Sequence, residues 1–219
     1  MKRFIIDIVL WALMVVCMSF HTFPRGTHEV IGTALFIVTV VHVFINGKWF
    51  GALTKGRWSD ARIFWTLMSI ALVISFMVAF FTGAIISTTV FKPIVASLPL
   101  HRSTLIHQLH VLSAYTTLIL AGLHIGCHWA ALWARITGLI PPLSIFTRSS
   151  GLRVAVVVAI ACMGVIASRL AAVGDRLMMR HIFGTPLTML PTPAEPAGMM
   201  LIMALYAVAA WVIMKFIQK

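Results

Sequence analysis

Nine histidines occur in a chain of 219 residues that is 61% hydrophobic and only 10% charged. Several fall inside apolar runs, where a charged group costs roughly 2.5–3.5 kcal/mol on insertion scales and an ionisable residue marks function by default. Spacing gives them a chemistry. His28 and His42 are fourteen residues apart, and so are His110 and His124. On a helix, fourteen steps of about 100° fall about 40° short of four turns. Each pair therefore shares a face, with its members about 21 Å apart along the axis. Two facing helices of this kind present two levels of paired imidazoles. A b-type haem is held by two axial imidazoles with the flat macrocycle between them. Two haems at separate levels would carry electrons through hydrocarbon.

The two segments read as a degenerate repeat. HEVIGTALFIVTVVHVFINGKW from His28 aligns with HVLSAYTTLILAGLHIGCHW from His110. His28 matches His110, His42 matches His124, Asn46 matches His128, and a tryptophan closes each copy (Trp49, Trp129) with an offset of two residues. Gly32 and Ala114 lie one turn after the first histidine, where a small side chain lets a helix approach a ring face. His107, about 60° round the helix from His110, and His128, about 40° from His124, are alternative ligands by position; the repeat favours His110 and His124. The unused histidines would be supporting hydrogen-bond donors or quinone ligands. Arg25 and Arg102 flank the outer level and Lys48 follows the inner one, where haem propionates would favour cations. His21 and His101 read as interfacial. His181 falls in a Pro-rich stretch.

The elements that must position these residues follow from composition. A soluble domain carries about 25% charged residues. This chain, with mean hydropathy +1.02, cannot cover a water-exposed surface. A soluble enzyme, a disordered chain and a free nucleic-acid binder are excluded. The expected fold is all-α, a polytopic membrane bundle of about six spans in one domain. The spans are roughly 4–22, 28–47, 63–88, 104–134, 152–171 and 198–217, with a haem-binding core over 28–134. The segment 174–197 is too polar and Pro-rich to cross and should cap one surface.

Lys2 and Arg3 before an apolar run resemble a secretory signal, but the run is nearly of spanning length and no A-x-A-like site follows, so it reads as a retained helix. Cys17, Cys127 and Cys162 form no C-x-x-C and read as packing residues. Of the 17 lysines and arginines, the larger share falls on the side of both termini, which the positive-inside rule places in the cytoplasm. Most tryptophans fall near the same span ends, as an interfacial belt would.

The H-x(13)-H pairs, in the strings HEVIG…VHVFINGKW and HQLHVLS…LHIGCHW, resemble those of the bacterial two-haem membrane cytochrome b superfamily. That group includes cytochrome subunits of hydrogenases and formate dehydrogenases and small cytochrome-b-like membrane proteins. The resemblance covers about residues 28–130. It implies two haems b ligated by His28, His42, His110 and His124, in a bacterial cytoplasmic membrane. Lacking a flavin, nicotinamide or iron–sulfur motif, the chain would be the membrane anchor of an electron-transfer oxidoreductase, docking redox partner subunits. A quinone site is expected at the outer face, beside His101, Arg102, His107 and His181. The competing reading is a His-lined transporter of a divalent metal ion. It needs intramembrane acids, and the chain holds only five Asp and Glu.

Overall fold

A computed structural model describes residues 2–145, 149–180 and 189–218. Among these there are helices and turns and no strand. In chain order the helices are α1 (Lys2–Met18), α2 (Arg25–Ile45), α3 (Lys48–Leu53), α4 (Asp60–Ile85) and α5 (Lys92–Val95). They continue with α6 (Thr104–Cys127), α7 (Trp129–Leu139), α8 (Ser150–Leu170), α9 (Val173–Leu177) and α10 (Glu195–Ile217). Five of them, in α2, α4, α6, α8 and α10, are long and apolar enough to cross a membrane. The sixth expected span is α1, with 17 residues. At about 1.5 Å per residue it reaches about 26 Å, just short of a bilayer core of about 30 Å. It stops at Met18, several residues before the expected end at 22, because the backbone turns there and Ser19 closes on the Val15 carbonyl. The expected 104–134 span is also interrupted. α6 ends at Cys127, His128 leaves helical geometry with ψ near 8°, and α7 starts anew.

Serine caps begin three of the long helices. Ser59, Ser103 and Ser149 each accept a hydrogen bond from the backbone N–H three residues on, which satisfies an otherwise orphaned donor. Cross-helix contacts fix the directions. Arg3 donates to the Ile45 carbonyl and Cys17 touches His28, so α1 and α2 are antiparallel neighbours. Ser69 meets His124 and Ala79 meets His110, so α4 and α6 are antiparallel as well. Gly122 lies against Met203, and Gly126 against Ala207, so α6 and α10 run parallel.

The middle of the bundle is α6, between α4 and α10. Leu118, Ile202 and Ala210 are fully buried there. In hydrocarbon there is no hydrophobic gain from joining helices, so close backbone approach must do it, and small residues permit that approach. The buried positions of α4 are all small: Thr66, Ser69, Ser75, Ala79 and Thr82. On α6 the G-x-x-x-G of Gly122 and Gly126 faces α10 so tightly that a Cβ on either would overlap an α10 carbonyl. Gly164 brings α8 onto Leu201 and Leu205 in the same way.

Gly126→Ala should therefore push α6 from α10 and cost about 1–3 kcal/mol, read as a lowered Tm in detergent. Gly138→Ala is the control, since a Cβ there meets nothing within 4 Å. Equal Tm values for the two variants would contradict the packing assigned to the glycine face.

Candidate functional site

His110 and His124 lie on the α6 face opposite its glycines. His124 is two residues from both Gly122 and Gly126, about 200° round the helix. The same face carries Thr117, midway between the histidines, which donates to Ser75 Oγ at 3.0 Å. α6 thus presents glycine to α10 and polar groups to α4.

At the outer level, His28 on α2 and His110 on α6 meet directly. Their ring centroids are 6.0 Å apart and the planes are at 88°. Each imidazole is held through Nδ1 by a third helix. His28 Nδ1 donates to the Cys17 carbonyl of α1 at 2.8 Å, and His110 Nδ1 to the Ala79 carbonyl of α4 at 2.8 Å. A carbonyl only accepts, so both rings carry their proton on Nδ1 and leave Nε2 with a free lone pair. Gly83 makes room for His110. A Cβ at that position would stand 2.8 Å from His110 Cε1.

At the inner level the same logic fixes His124. Ser69 Oγ donates its one hydrogen to the Trp65 carbonyl at 2.8 Å, so it accepts from His124 Nδ1 at 3.2 Å. His124 Nε2 is again the free lone pair. His124 lies within electrostatic reach of His42, His128 and Asp7. Asp7 Oδ1 on α1 stands 3.1 Å from His42 Nδ1, at ion-pair distance. The contact is off the line of a hydrogen bond, and this buried nitrogen has no other partner. His128 packs on His124 at 4.8 Å and on Trp65 at 5.6 Å between centroids.

The repeat is visible as geometry. α2 ends with Asn46 as its C-cap and α6 with His128, at matched alignment positions and nearly the same dihedrals. Asn46 Nδ2 donates to the His42 carbonyl at 2.9 Å, so its role is to close the helix. A second helix follows each cap, α3 with Trp49 and α7 with Trp129.

Other expected residues lie elsewhere. Gly32 faces α1, where a Cβ would come 3.7 Å from Cys17 Sγ, so it sets the α1–α2 approach beside His28. Ala114 is half-buried on α6. His101 donates through Nδ1 to the Ile85 carbonyl and closes the end of α4. His21 pairs with the buried Glu195 at 2.6 Å and ties α1 to the start of α10. His107 sits one turn before His110 on α6. The side chains of Arg25 and Arg102, and His181 altogether, lie outside the described residues.

Four residues escaped sequence reasoning: Asp7, Ser69, Gly83 and Glu29. The Glu29 carboxylate next to His28 accepts from the N–H groups of Thr88, Thr89 and Val90 at 2.8–2.9 Å. It also accepts from the Ser87 and Thr88 hydroxyls at 2.7 and 3.0 Å. It anchors α2 to the loop after α4 and so sets the height of His28. Its signal in the sequence was a carboxylate standing at the start of an apolar run, beside His28. Among the described residues no group of three or more His, Cys, Asp or Glu converges as an ion site would need; His28 and His110 meet across helices.

No protein-family model, curated protein or solved structure matches the chain.

Glu29→Ala strands five donors, three of them backbone N–H groups. Losing charge-assisted bonds of about 1.5–3 kcal/mol each at most, with water replacing some, should lower Tm and speed amide exchange at residues 88–90. Hydrogen–deuterium exchange resolved to that segment measures it, and unchanged exchange would rule out the latch.

Proposed function

We propose that the chain is a two-haem b-type membrane cytochrome. In this reading it moves electrons across a bilayer between a quinone pool and a redox partner protein. The observation that carries the reading is the pairing itself. An α2 histidine and an α6 histidine share each of two levels, and every one of the four has its Nδ1 turned to an oxygen of α1 or α4.

The donor set suits haem. The His28 and His110 rings, with centroids 6.0 Å apart, would each supply an imidazole nitrogen to one iron. Two neutral imidazoles with Nδ1–H engaged and Nε2 free are the ligand form such a site requires, and the carbonyl or carboxylate partner raises ligand basicity. His28 and His110 would hold the outer haem, and His42 with His124 the inner one, with His128 beside it. Haem iron supplies one-electron redox chemistry when bound.

The chain's own residues do the rest. Cys17, Ala79 and Ser69 fix the ring orientation and tautomer of His28, His110 and His124, and Asp7 stands beside the His42 ring. Gly83 leaves the space His110 occupies. Between the levels, Phe36 of α2 stacks on Phe80 at 3.8 Å and lies near Phe76 at 6.3 Å, both of α4. These rings pack α2 against α4 beside the outer pair. In such a protein the alternating directions of α1, α2, α4 and α6, with α10 parallel to α6, would bring both termini to the cytoplasmic side of a bacterial membrane. Quinone exchange would then fall at the face of His101 and His107, where a histidine can both hydrogen-bond a head group and take its proton near neutral pH.

The purified protein should show a Soret band and two haems per chain by pyridine haemochrome. His28→Ala and His110→Ala should each lower that ratio to one, as should His42→Ala. Gly83→Ala, by displacing the His110 ring, should deplete the same haem as His110→Ala. A colourless preparation from haem-replete cells would end the proposal, and retention of two haems by all of the histidine variants would end the ligand assignment.

A further inference from the structure

On the far side of the bundle from the histidine pairs, a cavity of about 500 Å³ opens between α8, α9 and α10. Its wall is apolar and comes from Val165, Ala172, Val173, Leu177, Met178 and Leu205. Its polar lining consists of Ser168, Arg169, Asp175, Arg180 and Tyr206. Arg169 stands one residue before the end of α8. Tyr206 lies eleven residues into α10, about 16 Å below that helix's start. The cavity therefore has a cationic mouth at the surface and an apolar floor near mid-membrane.

The cations at the mouth are uncommitted. Three arginines belong to this region, and their surroundings divide them. Arg176 donates through Nε to the Ala171 carbonyl at 3.0 Å and lies 4.8 Å over the Tyr115 ring, so it is part of the packing. Arg169 and Arg180 are exposed, line the cavity, and make no side-chain hydrogen bond or ion pair among the described residues. Asp175, the one acidic group in the lining, pairs with neither. Deeper in, the Tyr206 hydroxyl also has no hydrogen-bond partner among the described residues. Ser168 donates its hydrogen to the Gly164 carbonyl and keeps only acceptor capacity.

We propose that this cavity is a binding site for an anionic glycerophospholipid of the surrounding leaflet. Two guanidinium groups without partners, at the depth of the head groups, match a phosphate by charge and by the planar two-donor geometry that favours phosphate oxygens. Basic pockets between membrane helices recognise such head groups. The apolar wall continuing below the cations fits an acyl chain. The Tyr206 hydroxyl can donate to an ester carbonyl where chain and glycerol join. Free phosphate would use the arginines and leave the apolar wall wet. A zwitterionic lipid would bring its own cation against the two arginines.

The test uses the full chain, delipidated in detergent. Phosphatidylglycerol should raise Tm and survive as a bound adduct in native mass spectrometry, with phosphatidylcholine at equal concentration giving about tenfold less adduct. The double variant Arg169→Gln/Arg180→Gln should lose that preference by about tenfold. Arg153→Gln, at the opposite end of α8, should keep it. A photo-crosslinking phosphatidylglycerol should label residues 165–180 of the wild-type chain, which gives a readout independent of whether the double variant folds. Equal adducts with the two lipids, full competition by inorganic phosphate, displacement by a short-chain quinone, or labelling confined to other segments would each overturn the proposal.

Discussion

A polar ring carried into hydrocarbon must find its partner on a neighbouring helix, because water is absent and the ring's own helix has no spare backbone groups. The histidines of α2 and α6 meet this constraint through α1 and α4. Cys17 and Asp7 of α1 face the two α2 histidines. Ala79 and Ser69 of α4 face the two on α6. Cys17 offers one of the end carbonyls of α1, which have no partner within the helix, whereas the mid-helix Ala79 carbonyl can take such a bond only as a second acceptor, and either must come close. The small buried face of α4 and the glycine face of α6 are therefore conditions of the site as much as of the fold. α6 closes on α10 through Gly122 and Gly126, which leaves its other face to α4 and the paired rings.

The membrane class, the long helices and the placement of the four histidines on α2 and α6 were legible in the sequence, since each rests on a strong one-dimensional signal. Apolar run length reports a span, and a fourteen-residue interval reports a shared face. The repeat was legible as far as the helix ends, where Asn46 and His128 are equivalent caps. The supporting residues were not legible. Ser69 and Gly83 look like ordinary small residues of a spanning helix, and only the pairing of α4 with α6 shows which histidine each one meets. Asp7 is the one acid of the first apolar run, and only the approach of α1 to α2 shows that it meets His42. The break at His128 was also missed, because Trp129 to Leu139 continues the helical pattern and no proline marks the boundary.

Gly32 illustrates the limit of spacing arguments. One turn after His28 it lies where a small residue would favour a ring face, yet its Cα points to α1 and Cys17. The helix has room for only one such face, and that face is used to draw α1 close enough for the Cys17 carbonyl to reach His28. The glycine supports the histidine indirectly, through the helix that holds it.

The two levels are built from different acceptors, and this asymmetry follows from their surroundings. The outer pair is held by two main-chain carbonyls, which add no charge to the layer. The inner pair has a serine hydroxyl on one side and a carboxylate on the other. A carboxylate is tolerable there because Asp7 lies only five residues from the start of α1, about 8 Å along the helix, and is itself partly exposed. Glu29, the acid nearest the outer pair, is instead consumed by five donors of the loop after α4. One acid thus builds the frame at its level and the other stands beside a ring at its own. A carboxylate near one imidazole raises the electron density at its free nitrogen more than a carbonyl does. The chain therefore offers an unequal pair of sites from a nearly equal pair of sequence repeats, and the inequality comes from α1 and α4, the helices outside the repeat.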